Sequence, residues 1–217
     1  IIYPNWMMSC TTLKRLQLLW CVNLEHLPSL GQLPFLEVLK ISWLLNVKKV
    51  GDEFLGIEDS KNKKDYDIIF PNLKSLQFVY LRNWEEWIGM GGTGEEEEEE
   101  NDNGIVTTPI IIKIMPHLQS LKIFYCYNLK LLPDYLLTAP LLKELEIFGS
   151  LLLEESYKTG TGENRSKISH IPNIILGWVY VQIDGEPQNG FRQSFRGNSP
   201  TFLPSSFILF LHCKYIN

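Results

Sequence analysis

An eleven-residue apolar pattern, L-x-x-L-x-L-x-x-C, recurs along this chain of 217 residues and restricts its fold more than any other feature. Complete copies start at Leu13 and Leu118, and looser copies start at Leu36, Leu73 and Leu142. A single copy cannot bury its apolar side alone, whereas stacked copies cover one another. The pattern therefore predicts a curved solenoid of stacked repeats, which is an architecture suited to binding.

Each copy divides into a strand and a return segment. Leu16 and Leu18 point inward on either side of the outward-pointing Gln17, and this period of two is that of a β-strand. After Cys21 the apolar spacing lengthens to three, which suits irregular turns or a short 3₁₀ segment, and Pro28 excludes a long helix. This is the signature of leucine-rich repeats. We predict an α/β-type solenoid with short parallel strands on the concave face, irregular or 3₁₀ returns, and a poorly ordered tail.

The spacing of the repeats predicts the domain organisation. Two starts are unusually far apart, which places insertions at residues 51–69 and 88–113 that we expect to form loops. The pattern weakens after Leu153, and from Ile174 onward no further repeat is recognised. We therefore predict a repeat domain over residues 1–174. Residues 175–217 are expected to be a non-repeat tail, disordered or produced by an error in the gene model, with at most one strand near Val179–Ile183. Because the chain starts with isoleucine, we interpret it as a fragment.

Charge and hydropathy exclude several classes of protein. The net charge is −5, but residues 95–102 contribute −7, and the rest of the chain carries +2. Lys and Arg form no cluster, so no nucleic-acid partner is predicted. The acidic run either presents an acidic face to basic partners or forms a solvated loop, and the second is typical of blocks of like charge. No apolar stretch is long enough to span a membrane, and residues 1–10 do not form a signal peptide.

The cysteines point to a reducing compartment. Four cysteines are too few for a disulfide framework in a chain of this length. Cys21 and Cys126 occupy the same repeat position several repeats apart, so we expect them to be buried, reduced and too distant to bridge. We predict a cytoplasmic protein.

Several segments resemble one family of repeat proteins. The segments are 27–34 (LPSLGQLP), 70–76 (FPNLKSL), 84–87 (WEEW), 115–121 (MPHLQSL) and 169–174 (SHIPNI). They resemble the carboxy-terminal repeats of plant nucleotide-binding leucine-rich-repeat disease resistance proteins of the coiled-coil type, over about residues 1–174. The resemblance implies an intracellular immune receptor. Its repeats would sense a pathogen effector or a guarded host protein, and would hold the nucleotide-binding domain of the parent receptor inactive until then.

The sequence predicts neither an enzyme nor a cofactor. It contains no G-x-x-x-x-G-K-[ST] motif, so no nucleotide site is expected in this chain. His117 and Cys126 share a repeat, but a reactive thiol needs exposure, and Cys126 is expected to be buried. Glu85 and Glu86 could imitate a catalytic carboxylate pair, although nothing else indicates a cleft. No Cys and His spacing is typical of zinc.

The outward strand positions are the candidate binding residues, because exposed aromatic and arginine side chains are typical of interface anchors. Trp20, Trp43, Tyr80 and Tyr125 follow the strands and form an aromatic line. Alternatively, these rings pack on one another and stabilise the sheet; Trp84 and Trp87 are expected to be mostly core. The favoured function is effector or host-protein recognition in plant defence, and the alternative is a scaffold or adaptor outside immunity. The predicted binding residues are Arg15, Gln17, Trp20, Lys40, Trp43, Gln77, Tyr80, Lys122, Phe124, Tyr125, Glu146 and Phe148.

Overall fold

The computed structural model describes residues 12–57, 68–89, 112–158, 160, 162–192 and 208–212, with the backbone alone at 189–192 and 208–212. The strands are β1 (Arg15–Leu19), β2 (Val38–Ser42), β3 (Lys49–Val50), β4 (Ile68–Ile69), β5 (Ser75–Val79), β6 (Glu86–Trp87), β7 (Lys113–Ile114), β8 (Ser120–Phe124), β9 (Glu144–Phe148), β10 (Asn173–Leu176), β11 (Val179–Ile183), β12 (Glu186–Arg192) and β13 (Ile208–His212). The helices are α1 (Asp52–Leu55), α2 (Asp134–Leu137), α3 (Leu151–Tyr157) and α4 (Arg165–Ile168).

The principal element of the described chain is a nine-stranded sheet in the order β12-β11-β10-β9-β8-β5-β2-β1-β13. From β13 to β10 every neighbouring pair is parallel. Within each repeat strand the burial alternates, because side chains on a strand point to opposite faces. Equivalent leucines therefore lie beside one another in a buried column. The first inward leucine of each of these strands is paired with that of the next strand, and together they form the column Leu16, Leu39, Leu76, Leu121 and Leu145. The predicted leucine-rich-repeat solenoid is confirmed.

The return segments lie behind the sheet, and asparagine side chains form hydrogen bonds between successive returns. Asn83 Nδ2 donates a 2.7 Å hydrogen bond to the carbonyl oxygen of Leu45, and Asn128 Nδ2 donates one of 3.0 Å to that of Arg82. Both asparagines stand two residues after the cysteine-type position of their repeat. Two short parallel sheets, β3-β6 and β4-β7, join other parts of the returns. Trp84 and Trp87 are buried in the core, as predicted.

The two described ends of the first insertion hold a helix and a short strand, contrary to the expectation of a loop throughout residues 51–69. Its start forms helix α1, which buries Phe54 and Leu55. The amides of Leu30 and Gly31 both donate to the carbonyl oxygen of Phe54 at 3.2 Å, so this helix closes onto the return of an earlier repeat. Most of the second insertion, including the acidic run at 95–102, lies outside the described residues.

The structure corrects two expectations: that no further repeat is present from Ile174 onward, and that the tail is poorly ordered from residue 175. Strand β10 extends the parallel ladder, with Ile174 paired with Leu145 and Leu176 paired with Ile147. It is a sixth copy of the repeat, in which isoleucines replace the first two leucines, starting at Ile171. Strands β11 and β12 then add in antiparallel fashion and continue the sheet to Arg192. The division of the chain at residue 174 stays a prediction.

Strand β13 covers the other edge of the sheet. It pairs with β1 in parallel, from Arg15 opposite Ile208 to Leu19 opposite His212. An edge strand exposes unpaired backbone groups, and a neighbouring strand satisfies them. The carboxy-terminal apolar segment thus occupies the position that a preceding repeat strand would take in a longer solenoid.

Candidate protein-binding face

The strand face is the side of the sheet turned away from the leucine core, and it presents three rows of side chains. The middle row runs across the strands as Gln17, Lys40, Gln77, Lys122 and Glu146, each in register with the next. The flanking rows are Arg15, Val38, Ser75, Ser120 and Glu144 on one side, and Leu19, Ser42, Val79, Phe124 and Phe148 on the other.

Charge is distributed unevenly along this face. Arg15 and Lys40 stand on β1 and β2, whereas Glu144 and Glu146 stand on β9. Lys122 neutralises the acidic end, with Nζ 2.9 Å from Glu146 Oε2 and 3.3 Å from Glu144 Oε1. Burial alone would lower the pKa of Lys122, but the hydrogen bonds and charges of the two glutamates outweigh it, and the pKa is raised. The acidic end is therefore satisfied internally.

The basic end is not satisfied in this way. Within the described part of the chain, Lys40 has no ion pair or side-chain hydrogen bond, and the same holds for Gln17 and Gln77 on either side of it. Partial burial lowers the pKa of Lys40, because desolvation disfavours the charged form and no carboxylate compensates. A half-buried cation without a counter-ion is a good recognition group for an external anion.

The aromatic stack, formed by Trp20, Trp43, Tyr80 and Tyr125, runs along the edge of the strand face where the strands end. Successive ring centroids are 4.5, 4.1 and 4.5 Å apart, and the interplanar angles are 8°, 15° and 12°. The rings pack on one another along the sheet, as the second interpretation of the aromatic line expected. Trp20 ends the stack and is 40% exposed.

The backbone under the aromatic stack is left-handed. The four residues have φ between 57° and 61°, a region that non-glycine residues rarely occupy. The equivalent residue after β9 is Gly149, with φ of 66°. A Cβ on Gly149 would lie 2.5 Å from Tyr125 Cδ1, so the ring of Tyr125 occupies the space that a fifth side chain would need. Stacking with the neighbouring rings offsets the conformational strain at the aromatic positions.

All the predicted binding residues lie together. The structure places Arg15, Gln17, Lys40, Gln77, Lys122 and Glu146 in the rows of the strand face, Phe124 and Phe148 in the row beside the stack, and Trp20, Trp43, Tyr80 and Tyr125 in the stack. Whether these residues bind a partner is not tested by their positions, and the site stays a prediction.

Two residues on this face were missed. Trp178, assigned from the sequence to the tail, is 52% exposed and packs edge-on against Phe148 with centroids 4.4 Å apart. Ser42 is buried on the outward side, and its Oγ has no hydrogen-bond partner among the described residues. The sixth repeat copy would have revealed Trp178, because it stands two residues after Leu176, as Trp20 stands two residues after Leu18. Nothing in the sequence indicated that Ser42 would lack a partner.

The residues that could have suggested catalysis are engaged structurally. Cys126 is buried, and burial raises the pKa of its thiol to about 12. His117 Nδ1 donates a 2.6 Å hydrogen bond to the carbonyl oxygen of Pro71 in the preceding repeat. Glu86 forms an exposed ion pair with Lys49 at 2.8 Å. Cys21 and Cys126 are both buried, as expected. In the described ranges no group of His, Cys, Asp and Glu has the arrangement of a metal site.

Comparison with known proteins agrees with this repeat architecture. A family model described as "R13L1/DRL21 LRRs" matches residues 1–44. The chain is 29% identical over 140 residues to the "putative disease resistance RPP13-like protein 1" of Arabidopsis thaliana. The aligned region covers 61% of this chain and 13% of that protein. Over these ranges the chain is similar to a leucine-rich-repeat family model and to a plant protein named as a disease resistance protein.

Two further plant proteins are similar to the chain. The "probable disease resistance protein RF45" of Arabidopsis thaliana is 29% identical over 154 residues, covering 71% of this chain and 12% of that protein. The "probable disease resistance protein At1g58390" of the same plant is 32% identical over 113 residues, covering 52% and 10%. The chain therefore spans only about a tenth of the length of these disease-resistance relatives. No solved structure is significantly similar to it. Among the described helices, none is both long and apolar enough to cross a membrane.

Proposed function

We propose that this chain is a recognition module of an intracellular plant immune receptor, and that it binds a pathogen effector or a guarded host protein through the strand face. The observation that supports this most directly is the arrangement of the middle row. It aligns polar and charged side chains over five adjacent strands, beside a continuous aromatic stack. Such a surface offers both anchors and polar selectivity to a protein partner.

The similarity to disease-resistance proteins supports the immune role. In the parent receptors the repeats would also contact a nucleotide-binding domain and hold it inactive. This chain would supply binding and autoinhibition rather than catalysis, with no cofactor of its own.

The test compares two double variants that each add two negative charges. Gln17→Glu with Gln77→Glu alters the middle row, while Asn23→Glu with Leu131→Glu alters exposed return positions. Both proteins and the parent chain are measured by biolayer interferometry against purified secreted effectors and host immune proteins. Circular dichroism melts establish that each variant folds.

We expect a partner whose affinity falls at least about tenfold in the strand-face variant, because interface anchors dominate binding energy, while the return-side variant binds as the parent does. The assignment of this surface would be refuted by a partner that binds the strand-face variant as tightly as the parent chain but no longer binds the return-side variant. A partner of the strand face that has no part in immunity would instead establish the general scaffold.

A further inference from the structure

The strand face carries one polar position that its own fold leaves unsatisfied. Ser42 is 2% exposed, and its Oγ makes no hydrogen bond within the described ranges. A buried hydroxyl without a partner costs free energy, since it has lost its hydrogen bonds to water. Ser42 therefore calls for an explanation beyond folding.

The shape of the surrounding row gives the first part of that explanation. In register with Ser42 are Leu19 on β1 and Val79 on β5, and the row continues with Phe124 and Phe148. Serine is the smallest side chain in this row. Its short side chain stands between the longer side chains of Leu19 and Val79, and the next residue, Trp43, belongs to the aromatic stack.

Lys40 stands two residues before Ser42 on the same strand, so both side chains point to the strand face. Gln17 and Gln77 stand directly beside Lys40 on the neighbouring strands and have no side-chain partners in the described structure. Their amide groups and the ammonium are hydrogen-bond donors, as is the hydroxyl of Ser42. Arg15 adds a second cation on β1.

The acidic groups nearest in sequence register are already occupied. Glu37, just before β2, lies 2.9 Å from Lys74 Nζ and 3.3 Å from Lys14 Nζ. Glu144 and Glu146 are held by Lys122. The donors around Lys40 are thus left for a group from outside the described structure.

We propose that the notch formed by Lys40, Ser42, Gln17 and Gln77 binds the carboxylate of an aspartate or glutamate side chain in an acidic segment of a protein partner. The carboxylate pairs with the Lys40 ammonium and accepts hydrogen bonds from the glutamine amides and the Ser42 hydroxyl after a small shift of the side chains that cover it. An apolar residue beside the acid packs between Leu19 and Val79. This inference rests on the proposed function and adds the chemistry of the partner.

Peptide phage display on the full chain tests this proposal, because it does not require a known partner. Peptides selected on the parent chain are synthesised with the key acid as Asp or Glu and as the matching amide. Their affinities are measured for the parent, for Lys40→Gln and for Lys130→Gln, a control at an exposed return position. The strand-face variant Gln17→Glu with Gln77→Glu reports whether each peptide uses this surface at all, because its added negative charges repel an acidic peptide and alter the middle row for any other.

The expected peptides combine an acidic residue with a neighbouring apolar residue. Lys40→Gln weakens them at least about tenfold, since hydrogen bonds between charged groups are the strong ones. On the parent chain, the peptide with the amide binds at least about tenfold more weakly than the acidic peptide. Lys40→Gln weakens the amide peptide little further, so the effects of the amide and of Lys40→Gln are not additive. Lys130→Gln has no effect.

The failures are distinguishable. Some peptides could depend on the strand face but contain no acid, or could bind Lys40→Gln as tightly as the parent chain. Such peptides overturn the inference and leave the proposed function standing. Selection that yields only peptides indifferent to the strand-face variant, or no peptides, counts against the proposed function and removes this inference with it. Should Lys40→Gln fail to fold, Lys40→Arg keeps the charge and is expected to restore binding to the acidic peptide; loss of binding by a folded Lys40→Arg variant also overturns the notch geometry.

Discussion

Replacing Trp43 by alanine and, separately, by glycine tests the conformational strain under the aromatic stack. Trp43 lies between Trp20 and Tyr80, with centroid separations of 4.5 and 4.1 Å, and has φ of 61°. Both substitutions remove two stacked contacts worth about 0.5–1.5 kcal/mol each, so both destabilise the protein by about 1–3 kcal/mol or more.

The two variants differ in the backbone alone. Alanine keeps the left-handed strain of about 1–2 kcal/mol, whereas glycine relieves it. Glycine also makes the unfolded chain more flexible, which costs about 0.4–1 kcal/mol. The balance leaves Trp43→Gly more stable than Trp43→Ala by about 0.5–1 kcal/mol, the reverse of the usual order of these residues in a strand.

Equilibrium unfolding in urea, followed by far-ultraviolet circular dichroism, measures both free energies of unfolding. The matched pair Gln77→Ala and Gln77→Gly provides the control, because Gln77 lies inside β5 and its φ is not positive. There alanine is expected to be the more stable by about 0.5–1 kcal/mol. If glycine were the less stable residue at both positions, the assignment of strain to the aromatic stack would be wrong.

The remaining predictions concern single positions. Gly149→Ala is expected to destabilise the fold by about 1–3 kcal/mol, because φ is 66° and the new Cβ would meet the Tyr125 ring; a thermal melt measures this, and a wild-type melt would contradict it. Ser42→Ala is expected to leave stability unchanged or to raise it by about 1 kcal/mol, since it removes an unsatisfied hydroxyl, and a clear loss in urea unfolding would show that the hydroxyl is bonded. Burial raises the pKa of the Cys126 thiol from 9.0 to about 12, so the unfolded thiol ionises first and stability falls as pH rises from about 9 to 12. Cys126→Ala should flatten that dependence in pH-resolved unfolding, and an identical profile for both proteins would contradict the burial argument.

The sequence predicted the repeat strands well because one physical constraint sets both pattern and structure. Each strand must bury the same alternate positions against its neighbour, as Leu39 and Ile41 do in β2. The sequence therefore located the strands, their parallel register and the composition of the strand face. It also placed the aromatic residues in one line.

Other features depend on information that the pattern does not carry. The sixth copy was missed because isoleucine replaces leucine at Ile171 and Ile174, and because the chain reverses after Gly177 instead of starting another return. Helix α1 depends on Phe54 reaching the return of an earlier repeat, which is a long-range contact. The unsatisfied hydroxyl of Ser42 and the satisfied charge of Lys122 depend on which residues stand opposite them on neighbouring strands. Insertions of different length between the repeats obscure that pairing in the sequence.

Hydrogen exchange of the backbone amides, resolved by residue, tests the continuous parallel ladder most directly. The account predicts strong protection throughout β2, β5, β8 and β9, and it predicts that β10 is protected as a member of the same sheet. The ladder on which the strand face is built would be contradicted if the amides of β10 exchanged as fast as those of an unstructured peptide. It would also be contradicted if any one of the four central strands exchanged rapidly while its neighbours stayed protected.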